Sequence, residues 1–219
     1  MQEFISYYNF KNGILDRLLE AGWFRQRDVM FTTDSIDAGK VYWLRYLAAE
    51  VHYKRNQKRL IKKNENYTVH YDQFRLTDEL QELHALYKIF KPEIGVDLLA
   101  EYFNPDCTAF DTWIVSVRNN NTLIGAGIFD KGKDSIACIM NFYNPVFHTD
   151  YFGKYLLLLE IEFCKINKIQ FCYPGYIAPS CSVFDFKKFP DKNATQVLIE
   201  NTGAWVPYNV WRSEIEALI

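Results

Sequence analysis

A run of β-type segments, followed by one long apolar helix, limits the possible folds of this chain more than any other sequence feature. Residues 112–118, 122–130 and 135–143 read as strands, separated only by the turns "NNN" and "KGKD". A helix over about 150–168 follows, and then a strand over 169–175. Three strands joined by short turns form an antiparallel meander, and a strand that returns after a helix lies beside the last of them. The sequence therefore predicts an α+β fold: a mixed, mostly antiparallel twisted sheet with helices on both faces.

The remaining segments are shorter and are predicted to extend this sheet or to cover it. We expect one domain over residues 1–219, in which residues 1–50 supply a short helix and strands packed onto the rest. Helices are predicted at 12–21 (ended by Gly22), 53–64, from the capping Thr77 to Phe90, and about 95–103. Strands are predicted at 28–33, 41–48, 66–71, 195–201 and 203–208.

Composition excludes several classes of protein. The chain has 25 Lys and Arg against 27 Asp and Glu, so any polyanion must meet a local patch. Its five Cys are irregularly spaced, which is typical of reduced thiols in the cytoplasm. The stretch "YLLLLEIEF" is too short to span a membrane, and no signal peptide is recognised. These features predict a soluble cytoplasmic protein. The four His lack metal-ligand spacing, so we predict no metal site.

The predicted order of elements resembles that of the GNAT N-acyltransferases, whose acyl donor lies where two neighbouring strands separate at the start of the long helix. In that superfamily a glycine-rich run before the helix holds pyrophosphate on its backbone amides. The corresponding "HTDYFGKY" keeps one glycine, Gly153, and lacks the second. The resemblance therefore implies a GNAT-like fold, whereas the altered run argues against coenzyme A.

One helix carries a row of positive charge. Six cations recur four residues apart in "YKRNQKRLIKKN", namely Lys54, Arg55, Lys58, Arg59, Lys62 and Lys63. Like charges at this spacing repel, and a polyanion would relieve that repulsion. A solvated helix face is the alternative interpretation. Because aromatic and amide side chains interleave, as single-stranded nucleic-acid sites require, we predict nucleic-acid binding here.

Several motifs together resemble the arginyl-tRNA–protein transferases and their bacterial leucyl-transferring relatives. "LLEAGWFRQRDVMF" is similar to the Gly-Trp-Arg-Arg segment of that family, and "YWLRYLAAEVHYKRNQKRLIKKN" to its strand and basic helix. "MNFYNPVFHTDYFGKYLLLLEIEFCKINKIQFCYPGYIAPSC" resembles its Glu-Ile-Glu helix and its Gly-Tyr-x-Ile-Pro-x-Cys loop, and "AWVPY" its Trp-Val-Pro. No Cys precedes Cys107, so we expect the chain to lack the cysteine-rich segment of the family, and Val183 and Phe184 replace a Lys–Met pair.

The resemblance implies a function and a set of site residues. We expect transfer of Arg or Leu from aminoacyl-tRNA to the N-terminal α-amine of acceptor proteins, by a monomer that needs no cofactor beyond the aminoacyl-tRNA. The predicted catalytic residues are Glu160, Tyr143 and Tyr176. The cations of the basic helix are predicted to bind the tRNA, namely Lys54, Arg55, Lys58, Arg59, Lys62 and Lys63. The predicted donor and acceptor pocket contains Gly153, Gly175, Cys181 and Lys187.

Other interpretations of these residues and of the chain stay open. Glu160 alternatively is a solvated helix carboxylate, the two tyrosines alternatively belong to the core, and Cys181 alternatively only packs. The chain alternatively is an acyl-CoA-dependent N-acetyltransferase of the same fold, or a tRNA- or peptide-binding relative without activity.

Overall fold

The computed structural model describes residues 2–7, 9–92, 96–104 and 106–216. The 13 strands of this part form one large sheet and two small ones. They are β1 Gln2–Ile5, β2 Phe24–Gln26, β3 Val29–Thr33, β4 Ser35–Ile36, β5 Gly39–Lys40, β6 Tyr42–Leu47, β7 Thr68–Gln73, β8 Thr112–Asn119, β9 Thr122–Lys131, β10 Ser135–Tyr143, β11 Phe171–Ile177, β12 Thr195–Ile199 and β13 Ala204–Pro207.

The α-helices of the described residues vary widely in length. They are α1 Gly13–Glu20, α2 Arg55–Lys63, α3 Asp78–Phe90, α4 Leu99–Tyr102, α5 Phe152–Ile166 and α6 Tyr208–Glu216. Short 3₁₀ helices connect them, including Pro145–Asp150 before α5 and Ser182–Lys188 after β11. None of the described helices is both long and apolar enough to cross a membrane.

The large sheet has eight strands in the order β13-β12-β6-β11-β10-β9-β8-β7. Strands β8 to β10 form the predicted meander, with a turn at Asn120 that needs a left-handed backbone (φ 55°), and β7 pairs with β8 at its edge. Asparagine tolerates that conformation better than most residues. Strand β11 returns parallel to β10, while every other pairing is antiparallel. The predicted mixed, mostly antiparallel sheet is confirmed.

Helices cover both faces of this sheet, as predicted. On one face, α5 buries Leu157 and Ile161 against β8, β9 and β10, and α2 adds Leu60 beside the start of α5. On the other face, α3 and α4 pack Leu83 and Leu99 on β9 and β10, next to α1. The α+β class is therefore confirmed, whereas the prediction of one domain over residues 1–219 stays a prediction.

Several predictions about the smaller elements were wrong or incomplete. The strand predicted at 28–33 is confirmed as β3, which pairs with β1 and β2 in a small sheet outside the large one. We did not predict β2, because the two-residue turn to β3 places Arg27 at φ 57° and contains neither Gly nor Asn. The helix predicted at 95–103 is confirmed only as α4, and Gly95 lies outside the described residues. Helix α6 was also missed.

A buried ion pair joins the small three-stranded sheet to the large one. Arg25 of β2 and Asp130 of β9 are 3.0 Å apart and nearly inaccessible to solvent. Arg25 also donates to Thr112 Oγ1, and its guanidinium lies 4.1 Å from the ring centre of Phe110. Removing one partner of such a pair would leave an uncompensated charge buried in the core, which is strongly destabilising. The pair therefore fixes β2, and with it Phe24 and Arg25, at the edge of the cavity described next.

Candidate active site

The site begins where β10 and β11 stop pairing. These parallel strands share three residue pairs, Ser135 with Phe171, Ile136 with Cys172, and Ala137 with Tyr173. Beyond Ala137 the register of β10 against β9 shifts between Cys138 and Met140, and that of β11 against β6 shifts between Cys172 and Gly175. The two strands then separate, and a cavity of about 590 Å³ opens between them.

The cavity, called the cleft below, is walled mainly by aromatic and aliphatic side chains. Its aromatic residues are Phe24, Phe31, Trp43, Tyr87, Tyr102, Phe142, Tyr176, Phe184 and Phe186. Its polar residues are Arg25, Gln26, His84, Asn141 and Lys187. No Asp or Glu is among the lining residues that the structure describes. Because Arg25 is paired with Asp130, the cleft carries uncompensated positive charge at Lys187.

The Lys187 side chain passes close to the backbone of Gly175, and its ammonium group lies at the wall of the cleft. Its Nζ donates to the carbonyl oxygen of Tyr176 at 2.9 Å and lies 5.0 to 5.9 Å from the ring centres of Tyr176, Phe184 and Phe186. Burial lowers the pKa of Lys187 to about 8, so the side chain is still mainly charged at pH 7. A cation held by aromatic faces and one carbonyl has room for an anionic ligand.

Gly175 permits this approach. Its backbone has φ +84°, a conformation that glycine adopts at little cost, and a Cβ there would lie 3.2 Å from Lys187 Nζ. The glycine of the "GYIAPSC" loop therefore sets the distance between the ammonium group and the strand.

Tyr176 and Cys181 complete this wall. The Tyr176 ring packs edge-on against Trp43, with centroids 5.2 Å apart, and against Phe184 at the same distance. Burial raises its pKa. Cys181 is half-buried and closes the loop through a bridge to Ala178. Gly175, Tyr176, Cys181 and Lys187 thus meet in one place.

Tyr143 and Gly153 lie together, but not on the wall of the cleft. A Cβ at Gly153 would be 3.4 Å from the ring of Tyr143, which packs on Phe152 at the start of α5. The Tyr143 ring also lies 5.1 Å from that of Tyr87, which does line the cleft. The two residues therefore sit beside the start of α5, with Tyr87 between them and the cleft.

Glu160 is completely buried behind Asn141. Its Oε2 accepts a hydrogen bond from Asn141 Nδ2 at 3.0 Å, and the side chain has no solvent exposure. Burial raises its pKa to about 8. The alternative of a solvated helix carboxylate is therefore wrong. Asn141, which lines the cleft, separates the carboxyl group from it.

The basic helix α2 exposes all six predicted cations. Among the described residues, none of the first five, from Lys54 to Lys62, forms an ion pair. Gln57 and Leu60 face inward, where Gln57 donates to the Phe189 carbonyl at the end of the segment that carries Lys187. Lys154, in the first turn of α5, lies 4.9 Å from the ring centre of the same Phe189. The cationic row therefore runs alongside the start of α5.

Sequence reasoning missed four polar residues of the cleft: Arg25, Gln26, His84 and Asn141. His84 is nearly buried and packs edge-on against Phe142, and its pKa is lowered by burial and by Lys88. Asn141 stood within the quoted "MNFY", but strand alternation alone did not reveal that it meets a helix carboxylate. Within the described residues, no three His, Cys, Asp or Glu side chains converge as metal ligands.

Comparison with known proteins decides the family. The family model described as arginine-tRNA-protein transferase, C terminus, matches residues 45–193, which span β6 to the end of the loop after Lys187. The chain belongs to this family. Its matched region contains the basic helix, the meander, α5 and the Lys187 wall, whereas Phe24 and Arg25 lie before it.

Individual relatives agree with that assignment. An aspartate/glutamate leucyltransferase of Campylobacter jejuni is 27% identical over 208 residues, covering 90% of this chain and 87% of the relative. One of Alcanivorax borkumensis is 28% identical over 158 residues, covering 69% and 63%. The C-terminal domain of a putative lysylphosphatidylglycerol synthetase of Agrobacterium fabrum shares the fold, with TM-score 0.52 at 9% identity, over 70% of this chain and 50% of that one.

The contact between Gly175 and Lys187 predicts unequal effects at two glycines. Gly175→Ala meets both a positive φ and the Lys187 ammonium, whereas Gly203→Ala meets a positive φ of 67° with nothing within 4 Å. We expect Gly203→Ala to lower the free energy of unfolding by about 1 kcal/mol, and Gly175→Ala to lower it further. Urea unfolding of both variants measures this, and equal losses would contradict the Lys187 contact.

Proposed function

We propose that this protein transfers a leucyl group from leucyl-tRNA to the α-amine of proteins that begin with Asp or Glu. The proposal rests mainly on the cleft between the separated strands, whose wall is mostly apolar and carries a positive charge at Lys187. Family membership and the names of the leucyltransferase relatives support the reaction type.

The lining of the cleft favours a leucyl over an arginyl donor. An arginyl side chain would need a carboxylate or several acceptors to replace its hydration. The described lining residues include no Asp or Glu, and the carboxyl group of Glu160 lies behind Asn141. Aromatic walls instead match a branched aliphatic side chain, which gains free energy from burial.

Lys187 is proposed to bind the acidic side chain of the acceptor. Its ammonium group has one hydrogen-bond acceptor in the described structure, the Tyr176 carbonyl, and therefore has N–H groups left for a carboxylate. A hydrogen bond to a charged group is worth about 1.5–3 kcal/mol. That is enough to distinguish Asp or Glu from a neutral N-terminal residue.

The reaction itself requires positioning more than activation. The α-amine attacks the ester carbonyl carbon, a C–N bond forms, and the C–O bond to the tRNA ribose breaks. The departing 3′ oxygen takes up the proton that the amine loses, so no cofactor is consumed. Tyr176, in the wall of the cleft, is proposed to orient the ester or the amine, and Cys181 to shape the pocket. Tyr143 and Gly153 are proposed to guide the tRNA 3′ end past the start of α5.

The tRNA body is proposed to lie along α2. Its exposed cations, of which Lys54, Arg55, Lys58, Arg59 and Lys62 have no ion-pair partner in the described residues, match the phosphate backbone. The start of α5, with Lys154, continues this positive surface toward the separated strands. We also propose that residues 1–219 act as one monomeric domain in the cytoplasm, where aminoacyl-tRNA is made.

The first test supplies donors and acceptors in parallel. Labelled leucyl-tRNA and arginyl-tRNA are offered with peptides that begin with Asp, Glu, Lys or Ala, and the same peptides are offered with acetyl-CoA. We expect leucylation of the Asp and Glu peptides, detected by mass spectrometry. Acetylation without tRNA would support an acyl-CoA enzyme instead, and tRNA binding without product from any donor would support a non-catalytic relative.

The second test concerns Lys187. Lys187→Met should lower kcat/KM for an Asp peptide about 10- to 100-fold, because a charge-assisted hydrogen bond is removed, and should change the rate with an Ala peptide little. Lys188→Met is the matched control, since Lys188 pairs with Asp185 instead. Equal losses with both peptides would contradict a role in acceptor recognition.

The third test concerns α2. Arg55→Glu with Arg59→Glu should weaken tRNA binding and reduce the slope of log K against log salt by about 0.7–0.9 for each phosphate that the variant no longer neutralises. Arg17→Glu with Lys133→Glu is the control, at the opposite end of the sheet where Asp16 binds the backbone of Lys133. Unchanged binding by the α2 variant would show that the row is only a solvated face.

A further inference from the structure

Two buried oxygen atoms beside the cleft have no hydrogen-bond partner among the described residues: Glu160 Oε1 and Asn141 Oδ1. They belong to side chains that already meet, since Asn141 Nδ2 donates to Glu160 Oε2 at 3.0 Å. Proteins pair nearly all buried polar atoms, so two unpaired acceptors on neighbouring side chains require an explanation.

Both oxygens point into the space above Gly127 of β9. A Cβ at Gly127 would lie 2.6 Å from Asn141 Oδ1 and 3.2 Å from Glu160 Oε1. Any larger residue would push the pair apart, which gives this glycine in the middle of a strand a packing role. The two acceptors therefore share one small, buried space.

The surroundings of Glu160 disfavour a carboxylate. The titratable groups that face it are Cys138 from β10, Tyr46 from β6 and Tyr71 from β7, with Cys164 and Cys172 next to Cys138. Among the described residues, no cation acts on its pKa, and the neighbouring Asn141 amide and Cys138 thiol offset burial only in part. An ionised carboxylate without a partner is costly in such a place.

We propose that Glu160 is held as a neutral acid, whose Oε1–H donates to Asn141 Oδ1 and closes a cyclic acid–amide pair. One added proton then satisfies both unpaired oxygens. The pair uses the Asn141 N–H on the carbonyl side and leaves its other N–H for the cleft that Asn141 lines. This deepens the proposed function and rests on it: Asn141 donates to the oxyanion formed when the amine attacks the ester, and Glu160 is the positioning residue that orients the Asn141 amide.

Substitutions separate this arrangement from an ionised catalytic base. In Glu160→Gln the new amide accepts from Asn141 Nδ2 and donates to Oδ1, so we expect kcat within about 3-fold of the wild type, since the geometry is kept. Glu160→Ala should lose activity. Asn141→Asp and Asn141→Leu remove the donor and should lower kcat about 10²- to 10³-fold, while KM for leucyl-tRNA changes less than about 3-fold, because binding at α2 is untouched. A kcat for Glu160→Gln as low as that of Glu160→Ala would overturn the neutral acid.

A second measurement needs no activity. The unfolded chain releases the Glu160 proton from about pH 4.3, whereas the folded protein keeps it to about pH 8. Wild-type stability should therefore fall relative to Glu160→Gln as the pH rises through this window, because the unfolded state binds fewer protons. The difference in Tm should shift in favour of the Gln variant between pH 5 and 8. A constant difference would overturn the pairing, whereas a wild type that uses no aminoacyl-tRNA would contradict the proposed function instead.

Discussion

The separation of β10 from β11 is the constraint on which the site depends. Three parallel residue pairs hold the strands together, and each strand then changes register against its other neighbour. Backbone groups in the gap lose their sheet partners and require others. Pro174 has no N–H to satisfy, and Gly175 brings the backbone close to Lys187. A sheet that stayed paired to its end would leave no room for an ester and an amine to meet.

Buried ion pairing and the burial of one carboxyl group determine which charges face the cleft. The positive charge of Arg25 is neutralised by Asp130, and this ion pair also holds the small sheet against the large one. Lys187 is left uncompensated beside aromatic rings, so it is the cation in the described lining that is open to an anionic ligand. Asn141 separates the carboxyl group of Glu160 from the cleft, and burial raises the pKa of Glu160, which favours its neutral form. The cleft is thus suited to an acidic acceptor and an apolar donor at once.

The sequence predicted the parts of the fold that local pattern determines. The meander, α5 and the returning β11 follow from strand alternation, short turns and one long apolar helix, and Thr77 caps α3 as expected. The hairpin of β2 and β3 was not predictable, because Arg27 at φ 57° is selected by tertiary packing and not by turn propensity. In the site, the motif around Gly175 identified the Lys187 wall. The Glu160–Asn141 contact joins a helix to a strand 19 residues away, and the partners of Arg25 lie 87 and 105 residues away, so no local pattern signals them.

We propose that the separated strands bind the aminoacyl ester while Lys187 binds the acceptor carboxylate. A crystal structure with a non-hydrolysable leucyl amide of 3′-amino-3′-deoxyadenosine and a dipeptide that begins with Asp tests it most directly. We expect the leucyl side chain to lie against Trp43 and Tyr176, its carbonyl oxygen near Asn141, and the Asp carboxylate about 3 Å from Lys187 Nζ. A leucyl group bound away from the gap between β10 and β11, or an Asp side chain turned away from Lys187, would contradict it.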